Sequence, residues 1–139
     1  MADTRKILIT GANGLLGQKV TEIIAQESEH ILFLTDLHDA TIDQHGMEYF
    51  QMDITVKEDV KNNIKKYSPD IIINTAAYTN VDGCETEKEL SWRVNVDAVK
   101  NLIIASRINN TKIIHISTDY VFDGKTGNYD ESSKPSPLS

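Results

Sequence analysis

The sequence holds a single cysteine, Cys84, in 139 residues. It therefore has no internal disulfide and fits a reducing compartment, the cytoplasm. Cationic residues are the minority, 14 Lys and Arg against 21 Asp and Glu, for a formal net charge of −7. A phosphate backbone needs a basic face, so nucleic acid is excluded as a main partner. No apolar run approaches the ~20 residues of a membrane span, so no membrane partner is expected. Met1-Ala2-Asp3-Thr4-Arg5-Lys6 leads straight into a strand-like run without a cleavage-site pattern, which argues against a signal peptide. Internal repeats and low-complexity blocks are also lacking. Cys84 precedes a predicted helix, where a thiol pKa can fall. No His neighbours it in sequence, and it is read as an ordinary helix-start residue.

What is present is one domain's worth of chain, in which apolar runs alternate with helical patterns. Residues 6–10 form a β-type run, and 14–26 follow as a helix with Leu16, Val20, Ile23 and Ile24 on one face. Residues 30–35 are a second strand and 49–52 a weaker third. Thr55 and Glu58 have capping-box spacing for a helix running to Tyr67, with Val60, Ile64 and Tyr67 inward and Pro69 as its stop. Residues 70–74 read as a buried strand. A long helix is predicted over 85–109, striped by Leu90, Val94, Ala98, Leu102 and Ala105, and a fifth strand over 112–117. Continuous apolar strands joined by helices mean a parallel sheet covered on both faces. With right-handed crossovers this predicts an α/β fold, a Rossmann-type doubly wound sheet of order 3-2-1-4-5. It would occupy residues 1–122. Residues 123–139, punctuated by Gly, Ser, Asp and Pro, read as a mobile surface loop.

Gly11, Gly14 and Gly17 give G-x-x-G-x-x-G between a predicted strand and a predicted helix. Glycine lets the backbone turn sharply and approach a pyrophosphate, whose charge then faces the helix N-terminus. Asp36 follows 19 positions after Gly17 at the end of the second strand, close to the ~20 expected of the acid that holds a ribose. A carboxylate there accepts from both ribose hydroxyls and repels a 2′-phosphate. The loop after it, 37–43, has no Arg or Lys, and His38 is its only candidate cation; an exposed His is mostly neutral at pH 7. NAD(H) is therefore favoured, with NADP(H) admissible if a Ser, Thr or distant base makes room.

The Gly11, Gly14, Gly17 spacing resembles that of the extended short-chain dehydrogenase/reductases. Three further stretches narrow the resemblance: Asn74-Thr75-Ala76-Ala77-Tyr78-Thr79-Asn80-Val81-Asp82, Val94-Asn95-Val96-Asp97-Ala98, and Ser117-Thr118-Asp119-Tyr120-Val121-Phe122-Asp123-Gly124. Together they resemble the dTDP-4-dehydrorhamnose reductase family over essentially the whole chain. The resemblance implies an NAD(P)H-dependent reduction of the 4-keto group of a dTDP-sugar. It places Asn13, Gly14, Leu15 and Leu16 along the pyrophosphate and Asp36 on the adenosine ribose. Asp53 and Ile54 would flank the adenine, and Ala76, Ala77 and Tyr78 would line the path to the nicotinamide. Asn95 would tie the central helix to the sheet. Thr118 would support the catalytic tyrosine, and Thr118 and Asp119 would face the sugar. No metal ligands are assigned.

The resemblance also implies a Tyr-x-x-x-Lys pair, with the lysine lowering the tyrosine's pKa, and this pair is lacking. Four residues after Tyr49, Tyr67, Tyr78, Tyr120 and Tyr129 stand Asp53, Ile71, Asp82, Gly124 and Ser133. An unaided tyrosine keeps a pKa near ~10 and is a poor acid at neutral pH. The expectation is a cofactor-binding portion, truncated before the last strands and the substrate region and inactive alone. Its uncovered sheet edge would leave it marginally stable or a homodimer. Two alternatives stay open: a non-catalytic regulatory subunit like that of methionine adenosyltransferase, which has a similar Ser-x-Asp-Tyr-Val-Phe-Asp-Gly stretch, and another extended-family sugar-nucleotide epimerase or reductase.

Overall fold

The computed structural model describes residues 4–27, 29–41 and 46–138. Five short strands, β1 (Lys6–Thr10), β2 (Ile31–Asp36), β3 (Glu48–Gln51), β4 (Ile71–Asn74) and β5 (Lys112–His115), form one parallel sheet of order β3-β2-β1-β4-β5. The reversal of order between β2-β1 and β4 opens a crevice at the strands' carboxyl ends. Leu8, Phe33 and Ile72 point to one face of the sheet, and Ile7, Ile9, Leu32, Leu34 and Ile73 to the other. Burial on both faces is why the strands read as unbroken apolar runs.

Helix α1 (Leu15–Glu27) covers the second of these faces. Its inward face differs from the expected one. Gly17 and Thr21 are buried and Val20 and Ile24 pack on the core, while Leu16 and Ile23 are exposed. The small residues bring the helix axis close to the sheet, so bulky neighbours are not needed there.

Helix α2 (Lys57–Tyr67) buries Val60, Ile64 and Tyr67 on the other face, where Tyr67 meets Phe33 at 4.8 Å and stacks on Phe50 at 4.3 Å between centroids. The expected Thr55–Glu58 capping box does not form. Val56 is the N-cap without a side-chain bond, and the Thr55 hydroxyl instead donates to Asp53 Oδ1 at 2.7 Å. The helix stops at Ser68, which takes a left-handed φ of 48° and donates its N–H to the Ile64 carbonyl, just before Pro69.

The predicted 85–109 helix is a composite that starts earlier. Asn80 accepts from the Gly83 N–H and caps α3 (Val81–Thr86), which places Cys84 inside a helix rather than before one. Glu87, at φ −114° and ψ 52°, breaks the run. Helix α4 (Lys88–Trp92) then passes through a π-turn (Arg93–Asp97) into α5 (Ala98–Ser106), which buries Ala98, Leu102 and Ala105 against α2 and the sheet. β5 is shorter than expected and forms an edge, with Ile114 51% and Ile116 43% exposed. Beyond it lies a 3₁₀ turn, Asp119–Val121.

A left-handed conformation costs a non-glycine residue ~1–2 kcal/mol. Ser68→Gly is therefore expected to raise the urea midpoint, by up to ~1 kcal/mol in stability. A lower midpoint would show that the hydroxyl's bonds to Lys65 and Asn109 outweigh the strain.

Candidate functional site

The crevice holds a cavity of about 370 Å³ whose walls come from the ends of β1, β2 and β4, the 52–55 turn and the α4–π-turn segment. Eight of the residues singled out from sequence meet there: Gly11, Gly14, Asp36, Asp53, Ile54, Ala76, Ala77 and Tyr78.

The three glycines differ in the space around them. Gly11 has φ +72°, and a Cβ on it would lie 2.6 Å from the Ala76 nitrogen. A Cβ on Gly17 would collide with the Gly11 carbonyl oxygen and lie 2.9 Å from Ala12 Cα. Gly14 is less confined, since a Cβ there would make one tight contact, 3.2 Å to the Gly11 oxygen, and it lines the cavity. Thr75 fastens the crossing from the β4 side, its N–H and hydroxyl both donating to the Thr10 carbonyl at 3.1 and 2.7 Å. The first turn of α1 carries no acid, so its N-terminal partial positive charge is left uncompensated beside the cavity.

Asp36 is half-buried in the wall. Its Oδ2 accepts from the Asn13 N–H at 3.1 Å and its Oδ1 from the Leu37 N–H at 2.8 Å. Asn13, Leu15, Leu16 and Gly17 are not on the wall. The Asn13 side chain turns to the 37–41 loop, donating to the Asp39 carbonyl and Tyr49 hydroxyl and accepting from Thr41. Leu15 is 89% exposed on the first turn of α1, Leu16 is also exposed, and Gly17 is buried beneath the loop. Of the loop read from sequence, Ile42 and Asp43 lie outside the described residues. Burial pushes the Tyr49 phenol up; its bond to Asn13 works against this and the Asp36 and Asp39 charges add to it.

At the 52–55 turn, Asp53 Oδ1 accepts from the Thr55 N–H and hydroxyl, and the Asp53 N–H donates to Asp59. Asn101 of α5 donates to the Ile54 and Thr55 carbonyls at 3.1 and 3.2 Å. At the opposite end, Asn95 grips the Tyr78 backbone at two points: its Oδ1 accepts from the N–H at 2.8 Å and its Nδ2 donates to the carbonyl at 3.0 Å. The π-turn carries Asn95 to that position. The Tyr78 hydroxyl donates to Glu87, which holds the phenol above its usual range, with burial adding to the rise. Gly83 leaves space for that hydroxyl, which a Cβ there would displace.

Thr118 and Asp119 stand outside the cavity. Thr118 Oγ1 caps the 3₁₀ turn by accepting from the Tyr120 N–H at 3.2 Å, and both residues are exposed. The segment after them ties to itself: Phe122 stacks on Tyr129 at 4.3 Å, and the Tyr129 hydroxyl donates to Asp123 at 2.8 Å.

Sequence reasoning missed Thr10, Thr35, Met52, Thr55 and Thr75 as wall residues, named Leu37 and His38 only as part of the loop after Asp36, and placed Leu90 and Val94 only in a helix stripe. Thr10 and Thr35 carried a usable signal, since each is polar in the last two positions of an otherwise apolar strand.

A doubly wound parallel sheet with this glycine loop, an acid at the end of β2 and a helix asparagine gripping the loop after β4 is the Rossmann unit of an extended short-chain dehydrogenase/reductase. Within that class the chain belongs to the family described as the RmlD substrate binding domain, which matches residues 5–139. It is 39% identical over 131 residues to a "Probable low-salt glycan biosynthesis reductase Agl14" of Haloferax volcanii, covering 94% of this chain and 43% of that protein. It is 37% identical over 134 residues to a dTDP-4-dehydrorhamnose reductase of Aggregatibacter actinomycetemcomitans, covering 96% and 42%. Methionine adenosyltransferase 2 subunit beta of Rattus norvegicus is 32% identical over 135 residues, covering 97% and 39%. Among solved structures, dTDP-4-dehydrorhamnose reductase from Bacillus anthracis in complex with NADP superposes with a TM-score of 0.76 at 31% identity, covering 98% of this chain and 44% of that one. The chain thus spans less than half the length of these relatives.

The unequal space at the glycines separates fold from site. Gly17→Ala is expected to lower stability by ~1–3 kcal/mol, because it drives a methyl group into backbone. Gly14→Ala is expected to stay within ~0.5 kcal/mol of the wild type. Urea unfolding of the two variants checks this.

Proposed function

We propose that the chain is the cofactor-binding part of a dTDP-4-dehydrorhamnose reductase, a cytoplasmic enzyme reducing the 4-keto group of a dTDP-sugar, with NAD(H) favoured over NADP(H). The observation that carries the reading is the Gly11–Ala76 crossing. It admits no side chain on Gly11, so the turn after β1 meets the cavity as bare backbone, directly before the acid-free N-terminus of α1. Bare backbone beside a helix N-terminus suits a pyrophosphate.

The rest of the cavity fits the remainder of a dinucleotide. Asp36 retains lone pairs beyond its two backbone bonds and can accept from ribose hydroxyls. Thr35 Oγ1, fully buried in the adjoining wall, is the one buried side-chain oxygen or nitrogen without a partner among the described residues. Asp53 and Ile54 would flank the adenine, while Ala76, Ala77 and Tyr78, fixed by Asn95, would shape the nicotinamide end. The reduced nicotinamide supplies hydride when bound. Thr118 and Asp119 would face the sugar in the longer relatives' arrangement. The similarity to dTDP-4-dehydrorhamnose reductases supports the substrate class.

Titration with NADH, followed by nicotinamide fluorescence, should give saturable binding that Asp36→Ala weakens roughly tenfold or more, the worth of hydrogen bonds to a charged group. Absence of binding by both NADH and NADPH would sink the proposal. No tyrosine of the chain is followed four positions later by lysine. The 139-residue chain should therefore bind cofactor yet leave dTDP-4-dehydro-L-rhamnose unreduced, as read by NADH absorbance.

A further inference from the structure

Asp36, Leu37 and His38 form one side of the cavity, and a side chain from within the glycine motif holds the loop that carries them. Asn13 uses the full capacity of its amide, two donors and two lone pairs. Nδ2 donates to the Asp39 carbonyl at 3.0 Å and to the Tyr49 hydroxyl at 3.1 Å. Oδ1 accepts from the Thr41 N–H at 3.0 Å and the Thr41 hydroxyl at 3.1 Å. The Tyr49 hydroxyl in turn donates a hydrogen bond to the His38 carbonyl. The Asn13 backbone N–H meanwhile holds Asp36. One residue and its phenol partner thus fix positions 36, 38, 39 and 41.

The amide orientation follows from its partners, since only Nδ2 can face a carbonyl and only Oδ1 can face an N–H. Aspartate would not substitute, because it has no N–H to offer. The segment also carries two acids, Asp36 and Asp39. The loop brings no Lys or Arg, and His38 is its only candidate cation.

We propose that Asn13 and Tyr49 form a specificity clamp, which holds the 37–41 loop closed beside Asp36 and thereby selects against a 2′-phosphate on the adenosine ribose. Asp36 supplies the hydrogen bonds to the ribose. The clamp keeps the Leu37–His38 side of the cavity closed beside Asp36, where a 2′-phosphate would need room, and an open loop would give that room. Asn13 acts here as a positioning residue and not as a pyrophosphate ligand. The inference rests on the dinucleotide reading above.

The test uses the 139-residue chain with Asn13→Ala and Tyr49→Phe. The second variant removes one hydroxyl and keeps a ring that packs with Val20, Ile24 and Met47 on the core, so it folds even where the first does not. NADH and NADPH are titrated, together with ADP-ribose and its 2′-phosphate, which isolate the adenosine end. In the wild type the unphosphorylated member of each pair should bind more tightly. In both variants that preference should fall roughly threefold to tenfold, the worth of one or two lost hydrogen bonds. Equal weakening within each pair would overturn the clamp and return Asn13 to the shared pyrophosphate. An unchanged preference, or a wild type without preference, would overturn it as well. A wild type that binds none of the four probes would instead bring down the dinucleotide reading itself, a result distinct from the other three.

Discussion

The architecture depends on one backbone crossing, where the turn after β1 passes over the start of the loop after β4. Gly11 and Ala76 approach so closely there that no side chain fits between them. The contact sets the angle at which the chain leaves the sheet and enters α1, and hence where that helix N-terminus points. Gly17 then lets the helix settle on the same turn, one carbonyl below a position that a methyl group would occupy. Thr75 secures the crossing with two bonds to a single carbonyl. The price is conformational entropy at three glycines, each losing more freedom on folding than any other residue type. The return is a concave surface made almost wholly of backbone, which large side chains could not line.

The opposite wall is built by another means. Tyr78 lies in irregular chain after β4, where no ladder bond would hold its backbone, and Asn95 replaces the missing bonds by pairing with both its N–H and its carbonyl. An uninterrupted α-helix carries successive residues around at a fixed pitch; the extra residue in the π-turn shifts that phase locally, as such turns do at functional sites. Glu87 and Gly83 complete the socket, one by accepting the phenol's hydrogen bond and the other by leaving space for the phenol oxygen. Both walls are therefore fixed before anything enters the cavity, the condition under which a site avoids ordering costs on binding.

The parallel sheet was legible from the unbroken apolar strands that Leu8, Ile9, Leu34 and Ile72 make plain, and its order from right-handed crossovers between them; Gly11 and Asp36 were legible from their positions relative to strand ends, and Ala76 from the family resemblance. What escaped the sequence depended on non-local partners. The break at Glu87 and the π-turn have no periodic mark, since Leu90, Val94 and Ala98 keep helical spacing throughout. The capping box failed because Asp53, two residues upstream, competed for the Thr55 hydroxyl, a local side-chain bond of the kind that displaces regular caps. Asn13 sat inside the motif and was read with it, yet its amide partners lie 26, 28 and 36 positions away. The spacing of the glycines contains no information about them.

The same logic explains why polarity appears abruptly at the strand ends. Thr35, Thr10, Asn74 and His115 are neighbours in register across β2, β1, β4 and β5. Three of them are joined: Thr10 donates to Asn74 Oδ1 at 2.5 Å, and with that oxygen taken, Asn74 Nδ2 faces His115 Nδ1 at 3.0 Å. An apolar row would add burial worth ~1.5–3 kcal/mol per large side chain. It would also fill the crevice or draw the helices over it, closing the space between the walls. The polar row gives up that burial, recovers part of it through hydrogen bonds within the sheet, and ends the core one layer below the cavity floor. Thr35 lies in this row beside Asp36 with its hydroxyl unmatched, at a cost of ~1–3 kcal/mol for as long as it stays so. A sheet selected for stability alone would place valine there, similar in shape and without the unmatched oxygen. The hydroxyl is explicable where the cavity, rather than the core, sets the requirement.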